Sequence, residues 1–118
     1  MKYNTTAPIY WQIMESIKKD IVTGVLARGG RLDSVRSLAE RYQVNLNTMQ
    51  RACSELERQG VIHTQRGIGS FVTEDDEVIR ALKDEMSRGL IEDFVQGMSG
   101  LGYSAHDMLE IIREELEP

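Results

Sequence analysis

Features that would place the chain outside a reducing compartment are missing from its sequence. It contains one cysteine, so no disulfide can form within the chain, and a reducing cytoplasm is the expected location. No apolar run approaches the length of a membrane span, and the polar start MKYNTTAP does not resemble a signal peptide. We therefore expect a cytoplasmic protein with no membrane partner. Its length of 118 residues favours one domain, with or without an appendage.

The residue groupings that metal binding or catalysis requires are also missing. Cys53, His63 and His106 lack the spacing of metal ligands, and no Ser/His/Asp or Cys/His set is evident. The GIG at 67–69 precedes a predicted strand, whereas the phosphate loop of a nucleotide-binding protein precedes a helix. The sequence therefore predicts no metal site and no cofactor, and nothing in it supports an enzyme.

The charge of the chain is divided unevenly along its length. Residues 1–73 hold 10 Lys and Arg against 6 Asp and Glu, a net charge of +4, whereas residues 74–118 hold 4 against 13, a net charge of −9. The first part therefore suits a polyanionic partner although the whole chain is acidic. The acidic stretch that opens the second part also suits the N-terminus of a helix, where the helix dipole favours negative charge.

Three short segments of the first part have the apolar spacing of amphipathic helices. Their apolar positions are Ile9, Ile13, Ile17 and Ile21; Val35, Leu38, Ala39 and Tyr42; and Met49, Ala52, Cys53 and Leu56. Asp33 or Ser34 can cap the second helix and Asn45 the third. Val44, between these two helices, is expected to be a buried residue of the turn.

A small hairpin is predicted after the third helix. VIHTQ at 61–65 alternates apolar and polar residues, RGIG supplies a turn, and SFV at 70–72 returns as a second strand with Phe71 as its anchor. The order of helix, helix, turn, helix and hairpin is that of a winged helix-turn-helix domain.

The acidic part predicts two more helices. A long one carries the apolar stripe Ile79, Leu82, Met86, Leu90, Phe94 and Met98. GMSGLGYS at 97–104 is expected to break it, and Ser104 with Asp107 forms a capping box for the last helix. The stripe is too long for the winged domain to cover, which predicts that a second copy of the chain covers it. The predicted dimerisation residues are Leu82, Met86, Leu90, Phe94, Met98, Leu109 and Ile112.

The third helix carries polar side chains suited to DNA. In a helix-turn-helix the start of the second helix of the motif enters the major groove. Asn45, Asn47, Thr48, Gln50 and Arg51 are donors and acceptors that can contact base edges or phosphates. An ordinary polar surface is the alternative. DNA is favoured because the motif, the side chains and the positive charge agree.

This region also resembles a known family. SVRSLA, VNxNT, RAxxELExxGVI and RGxGSFV occur in this order within residues 8–73, as they do in GntR-type bacterial transcription regulators. PIYWQI at 8–13 and the short helical tail resemble the YtrA-type subfamily. The resemblance implies a winged helix that binds DNA, a tail that forms a homodimer, and no large effector domain.

The resemblance also implies which residues contact DNA. They are Ser34 and Arg36 at the start of the second helix, Asn45, Asn47, Thr48 and Gln50 on the recognition helix, and Arg66 and Gly67 at the wing tip, which in the family reaches the minor groove. Two positions depart from the family pattern. Asp33 stands where a proline is usual and places an acid near the DNA backbone, and Leu46 stands where many relatives carry arginine. Leu46 suits a thymine methyl group instead.

Together these features predict an α+β fold, mostly α, with a winged helix-turn-helix domain over residues 1–73 and a two-helix dimerisation arm over residues 74–118. The predicted function is a sequence-specific regulator of transcription, a repressor, that binds a palindromic operator in double-stranded DNA as a homodimer. The sequence does not indicate whether a small-molecule effector binds the protein. The alternative is a winged helix that binds another protein through its acidic arm.

Overall fold

The computed structural model describes residues 1–117. Its elements in chain order are α1 (Ile9–Val22), α2 (Val35–Tyr42), α3 (Leu46–Arg58), β1 (Ile62–Gln65), β2 (Gly69–Val72), α4 (Asp76–Gly100) and α5 (Ala105–Leu116). The chain forms two compact units: Met1–Leu82 is the first, and the second begins at Lys83, within α4. The predicted mixture of helices with one small hairpin is confirmed.

The core of the first unit forms where α1, α2 and β1 pack against α3. Its largest fully buried side chains are Ile13, Ile17, Met49, Leu56 and Val72. Burying each of them contributes about 1.5–3 kcal/mol, so this core is the main source of stability of the unit. The apolar stripes predicted for α1, α2 and α3 face this core, with two exceptions at helix starts: Ile9 is 43% exposed and Val35 is half-buried.

Side-chain caps fix where α2 and α3 begin. Ser34, not Asp33, caps α2, because its hydroxyl oxygen accepts a hydrogen bond from the Ser37 amide at 3.1 Å. Asn45 caps α3 as predicted, and its side-chain oxygen accepts from the Thr48 amide at 2.8 Å. Val44 in the turn is only half-buried, so the prediction that it is buried was wrong.

The hairpin is present, but β1 begins one residue later than predicted, at Ile62, and β2 begins one residue earlier, at Gly69. The antiparallel register pairs Ile62 with Val72 and His63 with Phe71. Val72 is 1% exposed and is the buried anchor. The prediction that Phe71 has this role was wrong, because successive strand residues face opposite sides. Phe71 is half-buried and stacks on the His63 ring, with centroids 5.8 Å apart.

The second unit holds the rest of α4 and all of α5. The predicted break within GMSGLGYS at 97–104 is confirmed, because α4 ends at Gly100 and α5 begins at Ala105. The first four residues of this segment are still helical. A glycine in a helix costs about 1 kcal/mol relative to alanine but keeps its backbone hydrogen bond, so it does not by itself end the helix. The capping box of Ser104 and Asp107 at the start of α5 is confirmed. Of the helices in residues 1–117, none is both long and apolar enough to cross a membrane.

Candidate nucleic-acid interface

The first two turns of α3 present polar side chains to solvent. Met49 and Ala52 face the core, so Asn47, Gln50 and Arg51 lie on the outer side of the helix and are exposed. Asn47 and Arg51 are four residues apart and therefore neighbours on one face. These three side chains form a continuous polar edge at the start of the helix.

The other predicted residues of α3 are placed differently. The Asn45 side-chain oxygen accepts the capping hydrogen bond, so its amide nitrogen is the group that remains to donate to a partner. Thr48 is half-buried beside this cap. Leu46 is 43% exposed at the first helical position, which leaves an apolar side chain on the outer surface.

The start of α2 combines a helix N-terminus with a cation. Ser34 and Arg36 are both exposed, and the free backbone N–H groups of a first helical turn favour an anion. The negative charge of Asp33 would repel an anion at the start of α2, but this repulsion is reduced by an ion pair. The Arg41 guanidinium lies 3.4 Å from its carboxylate and compensates its charge.

The wing turn depends on glycines. Gly67 has a φ of 78° and Gly69 a φ of 150°, a region that side chains other than glycine rarely adopt. Arg66 and Gly67 are exposed at the tip, as predicted, and Ile68 beside them is 55% exposed. The apolar spacing of the sequence did not predict that Ile68 is exposed at this tip.

Arg31 supports the wing and was not identified from the sequence. Its Nη2 donates a hydrogen bond to the Ile68 carbonyl at 2.6 Å, across 37 positions of the chain. A Cβ at Gly69 would lie only 2.9 Å from the Arg31 Nε, so the glycine leaves room for the guanidinium. No local pattern indicates such a contact, because its two partners are far apart in sequence.

A second set of bonds joins the wing to α3. The Thr64 hydroxyl donates to the Glu57 carboxylate at 3.0 Å and lies 3.0 Å from the Ser70 hydroxyl on the facing strand. The hairpin is therefore attached both to the loop before α2 and to α3. These contacts fix the wing tip relative to α3.

A cleft of about 380 Å³ lies between the wing and the start of α2. Ser34 and Gly67, both predicted DNA contacts, line it together with Arg31 and Cys53. Burial, and to a lesser degree the negative charge of Glu57, raises the pKa of the Cys53 thiol, which keeps it protonated. The structure thus brings the start of α2 and the wing together, whereas the polar side chains of α3 do not line this cleft.

Five cations of the described chain are held in ion pairs, and the three arginines predicted to contact DNA are not among them. The pairs are Lys18–Glu15, Arg28–Asp76, Arg41–Asp33, Arg58–Glu55 and Arg80–Glu77. Within residues 1–117, no carboxylate lies within 4.0 Å of the side-chain nitrogens of Arg36, Arg51 or Arg66. All three are exposed. Their charge is therefore available to an external anion such as a phosphate.

Comparison with known proteins gives a consistent result. Residues 9–72 match the family of bacterial regulatory proteins named gntR. The chain is similar to the HTH-type transcriptional regulator YhcF of Bacillus subtilis, with 41% identity over 95% of this chain and 93% of that one. It is also 41% identical to the HTH-type transcriptional repressor YtrA of the same organism, over 60% of this chain and 55% of that one.

Solved structures agree with these matches. A GntR family transcriptional regulator from Listeria monocytogenes superposes with a TM-score of 0.88 at 38% identity, covering 95% of this chain and 98% of that one. The structure of AraR(DBD) in complex with operator ORR3 superposes with a TM-score of 0.56 at 25% identity, covering 62% of this chain and 88% of that one.

Proposed function

The chain belongs to the GntR family of bacterial regulatory proteins, and from this we propose that it binds a palindromic DNA operator as a homodimer and represses transcription. It is a helix-turn-helix transcriptional regulator similar to YtrA and YhcF. The observation that carries the proposal is the polar edge of α3. Asn47, Gln50 and Arg51 are exposed there, beside a wing that is fixed to the same helix.

In this proposal the start of α3 enters the major groove and specifies the sequence. Asn47 and Gln50 carry carboxamides, which pair with adenine through two hydrogen bonds when they reach its N6 and N7. Leu46 contacts a thymine methyl group. The match to a domain whose structure contains an operator supports this placement.

The start of α2 and the caps hold the DNA backbone. Ser34, Arg36 and the first turn of α2 contact one phosphate group, and the Asn45 amide nitrogen and Thr48 contact another. These bonds carry no sequence information but fix the register of α3 in the groove. The free charge of Arg36 supports this role, since an arginine already held by an acid would contribute less.

The wing contacts the flank of the operator. Arg66 and Gly67 lie at the wing tip, and Arg66 inserts into the minor groove. A·T-rich DNA has a narrow minor groove with an enhanced negative potential, which attracts arginine. The Arg31 and Thr64 contacts support this role because they hold the tip in a defined position.

The dimer is proposed from the apolar surface of the second unit. Leu90 is 73%, Ile91 60% and Leu109 66% exposed, and Ile112 is 36% exposed. Met86, Phe94 and Met98 are half-buried along the same helix. Leaving so many large apolar side chains in water is unfavourable, and a second copy of the chain would remove them from it.

Leu82 does not belong to this proposed interface. It is only 6% exposed within its own chain and lies in the first unit, so it has little surface left to offer a second protomer. The proposed interface therefore does not depend on it.

Selection from a random pool of duplexes tests the function. The full chain should enrich one sequence whose two halves are related by a two-fold axis. A variant with Asn47 and Gln50 both changed to alanine should lose this enrichment while still binding duplexes at low salt. If the wild-type chain enriches no sequence, a DNA operator is excluded and the protein-binding alternative gains support.

The wing gives a separate prediction. Arg66→Ala should weaken binding at least about tenfold on sites with A·T-rich flanks, because a hydrogen bond to a charged group contributes about 1.5–3 kcal/mol. Sites with G·C-rich flanks should lose less. Arg58→Ala, which removes the same charge from an arginine already paired with Glu55, is the matched control. Equal losses on both flanks, measured by fluorescence anisotropy, would show that Arg66 only holds a phosphate.

A further inference from the structure

An aromatic ring of α1 lies under a cation of the recognition helix. The guanidinium carbon of Arg51 is 3.9 Å from the centroid of the Tyr10 ring, a distance at which the cation stacks directly on the ring face. Tyr10 is in the first turn of α1 and is half-buried, whereas Arg51 is exposed. The contact joins two helices across 41 positions of the chain.

This stacking restrains Arg51 without using its hydrogen-bond donors. The five N–H groups of a guanidinium point outward in its plane, and the ring contacts only the face. Arg41 provides a contrast on the same unit: it lies 5.9 Å from the Tyr42 ring and is held by Asp33. Arg51 has no such acid among the residues that the structure describes.

A free arginine side chain loses about 2 kcal/mol of rotamer entropy when it is fixed in one conformation. A ring that already holds the guanidinium reduces this cost when an anion binds. Arg51 lies one helical turn beyond Asn47 on the same face, and the backbone phosphates run along the edges of the major groove.

We propose that Tyr10 is a positioning residue that holds the Arg51 guanidinium for contact with a DNA phosphate at the edge of the major groove. The inference rests on the proposed function and extends it to α1, which supplies no DNA contact of its own here. Arg51 supplies the charge, and Tyr10 supplies its orientation.

A double-mutant cycle on the full chain tests this inference, with a random-sequence 30-base-pair duplex as the probe and fluorescence anisotropy as the readout. Phosphate contacts do not depend on sequence, so no operator is needed. Tyr10→Leu should weaken binding about three- to tenfold, because part of the roughly 2 kcal/mol of arginine rotamer entropy would then be lost on binding. Tyr10→Phe, which keeps the ring, should bind nearly as tightly as the wild-type chain.

The decisive comparison is made in the Arg51→Met background, where Tyr10→Leu should have no further effect. Arg51→Met alone should lower the slope of log affinity against log salt concentration by about one, as expected for the loss of one phosphate contact. The Arg51 Nε–H resonance should show an upfield ring-current shift that Tyr10→Leu removes. That measurement needs no DNA, and the dispersion of the same spectrum reports whether the variant is folded.

Each other outcome overturns the inference in a distinguishable way. An equal loss from Tyr10→Leu with and without Arg51 would show that the ring acts only in packing. Tighter binding by Tyr10→Leu would show that the ring holds Arg51 away from DNA. If the wild-type chain does not bind the duplex at low salt, the proposed function itself fails.

Discussion

Leu90→Glu is expected to convert the protein into a monomer and to weaken its binding to a two-half-site operator by at least about a hundredfold. Leu90 is 73% exposed, so the substitution leaves the core of its own protomer intact. Burying a leucine contributes about 1.5–3 kcal/mol, and a two-fold interface repeats each contact, so roughly 3–6 kcal/mol of association is lost. The burial of two new carboxylates adds to this loss.

Sedimentation equilibrium at micromolar concentration measures the first effect, and operator binding measures the second. Gln96→Glu is the matched control, because it makes the same change in charge at an exposed position on another face of α4. It should leave both the dimer and the affinity nearly unchanged. A monomeric wild-type chain, or a Leu90→Glu variant that stays dimeric with full affinity, would exclude the proposed interface.

Leu90 is a better position for this test than two alternatives. Phe94 is half-buried within its own chain, so Phe94→Asp would disturb the protomer as well as the interface. Truncation after Thr73 would remove Leu82, which is buried at 6% exposure in the first unit. Either change would mix loss of the dimer with loss of the fold.

Gln50→Ala is expected to cost about 1–3 kcal/mol on the selected operator and to relax the preference at one base pair of each half-site. The side chain is exposed at the start of α3, and its loss should therefore leave thermal stability unchanged. Affinity for random duplex should change little, because a contact with a base edge contributes to specificity and not to charge neutralisation.

Arg36→Ala is the contrasting variant for this second prediction. It should weaken binding to operator and random duplex alike and lower the salt slope by about one, because its partner is a phosphate. Titration of both variants against both duplexes at several salt concentrations separates the two kinds of contact. An equal loss on operator and random DNA for Gln50→Ala would contradict its role in sequence recognition.

Much of the first unit could be predicted from local sequence. The apolar spacing of α1, α2 and α3 and the cap at Asn45 are properties of neighbouring residues, and each is present in the structure. The exposed placement of Arg36, Gln50 and Arg66 follows from the same patterns, because polar residues between apolar positions face away from the core.

The contacts that connect elements could not be predicted in this way. Arg31 reaches the Ile68 carbonyl and Arg51 stacks on Tyr10, and both depend on how distant segments pack. The end of α4 shows a different limit. The glycines of residues 97–104 predicted that the long helix ends in this segment, and it ends at Gly100, but helix propensity alone does not identify the last helical residue.

The glycines within α4 lower the free energy needed to open this helix locally. Gly89 and Gly97 lie inside it, and a Cβ at either position would have no heavy atom within 4 Å, so close packing within the chain does not require them. Each lowers the helix stability by about 1 kcal/mol relative to alanine. We therefore expect the amide hydrogens around them to exchange with solvent through local opening at a lower free energy than those of α1 and α3, whose buried side chains belong to the core.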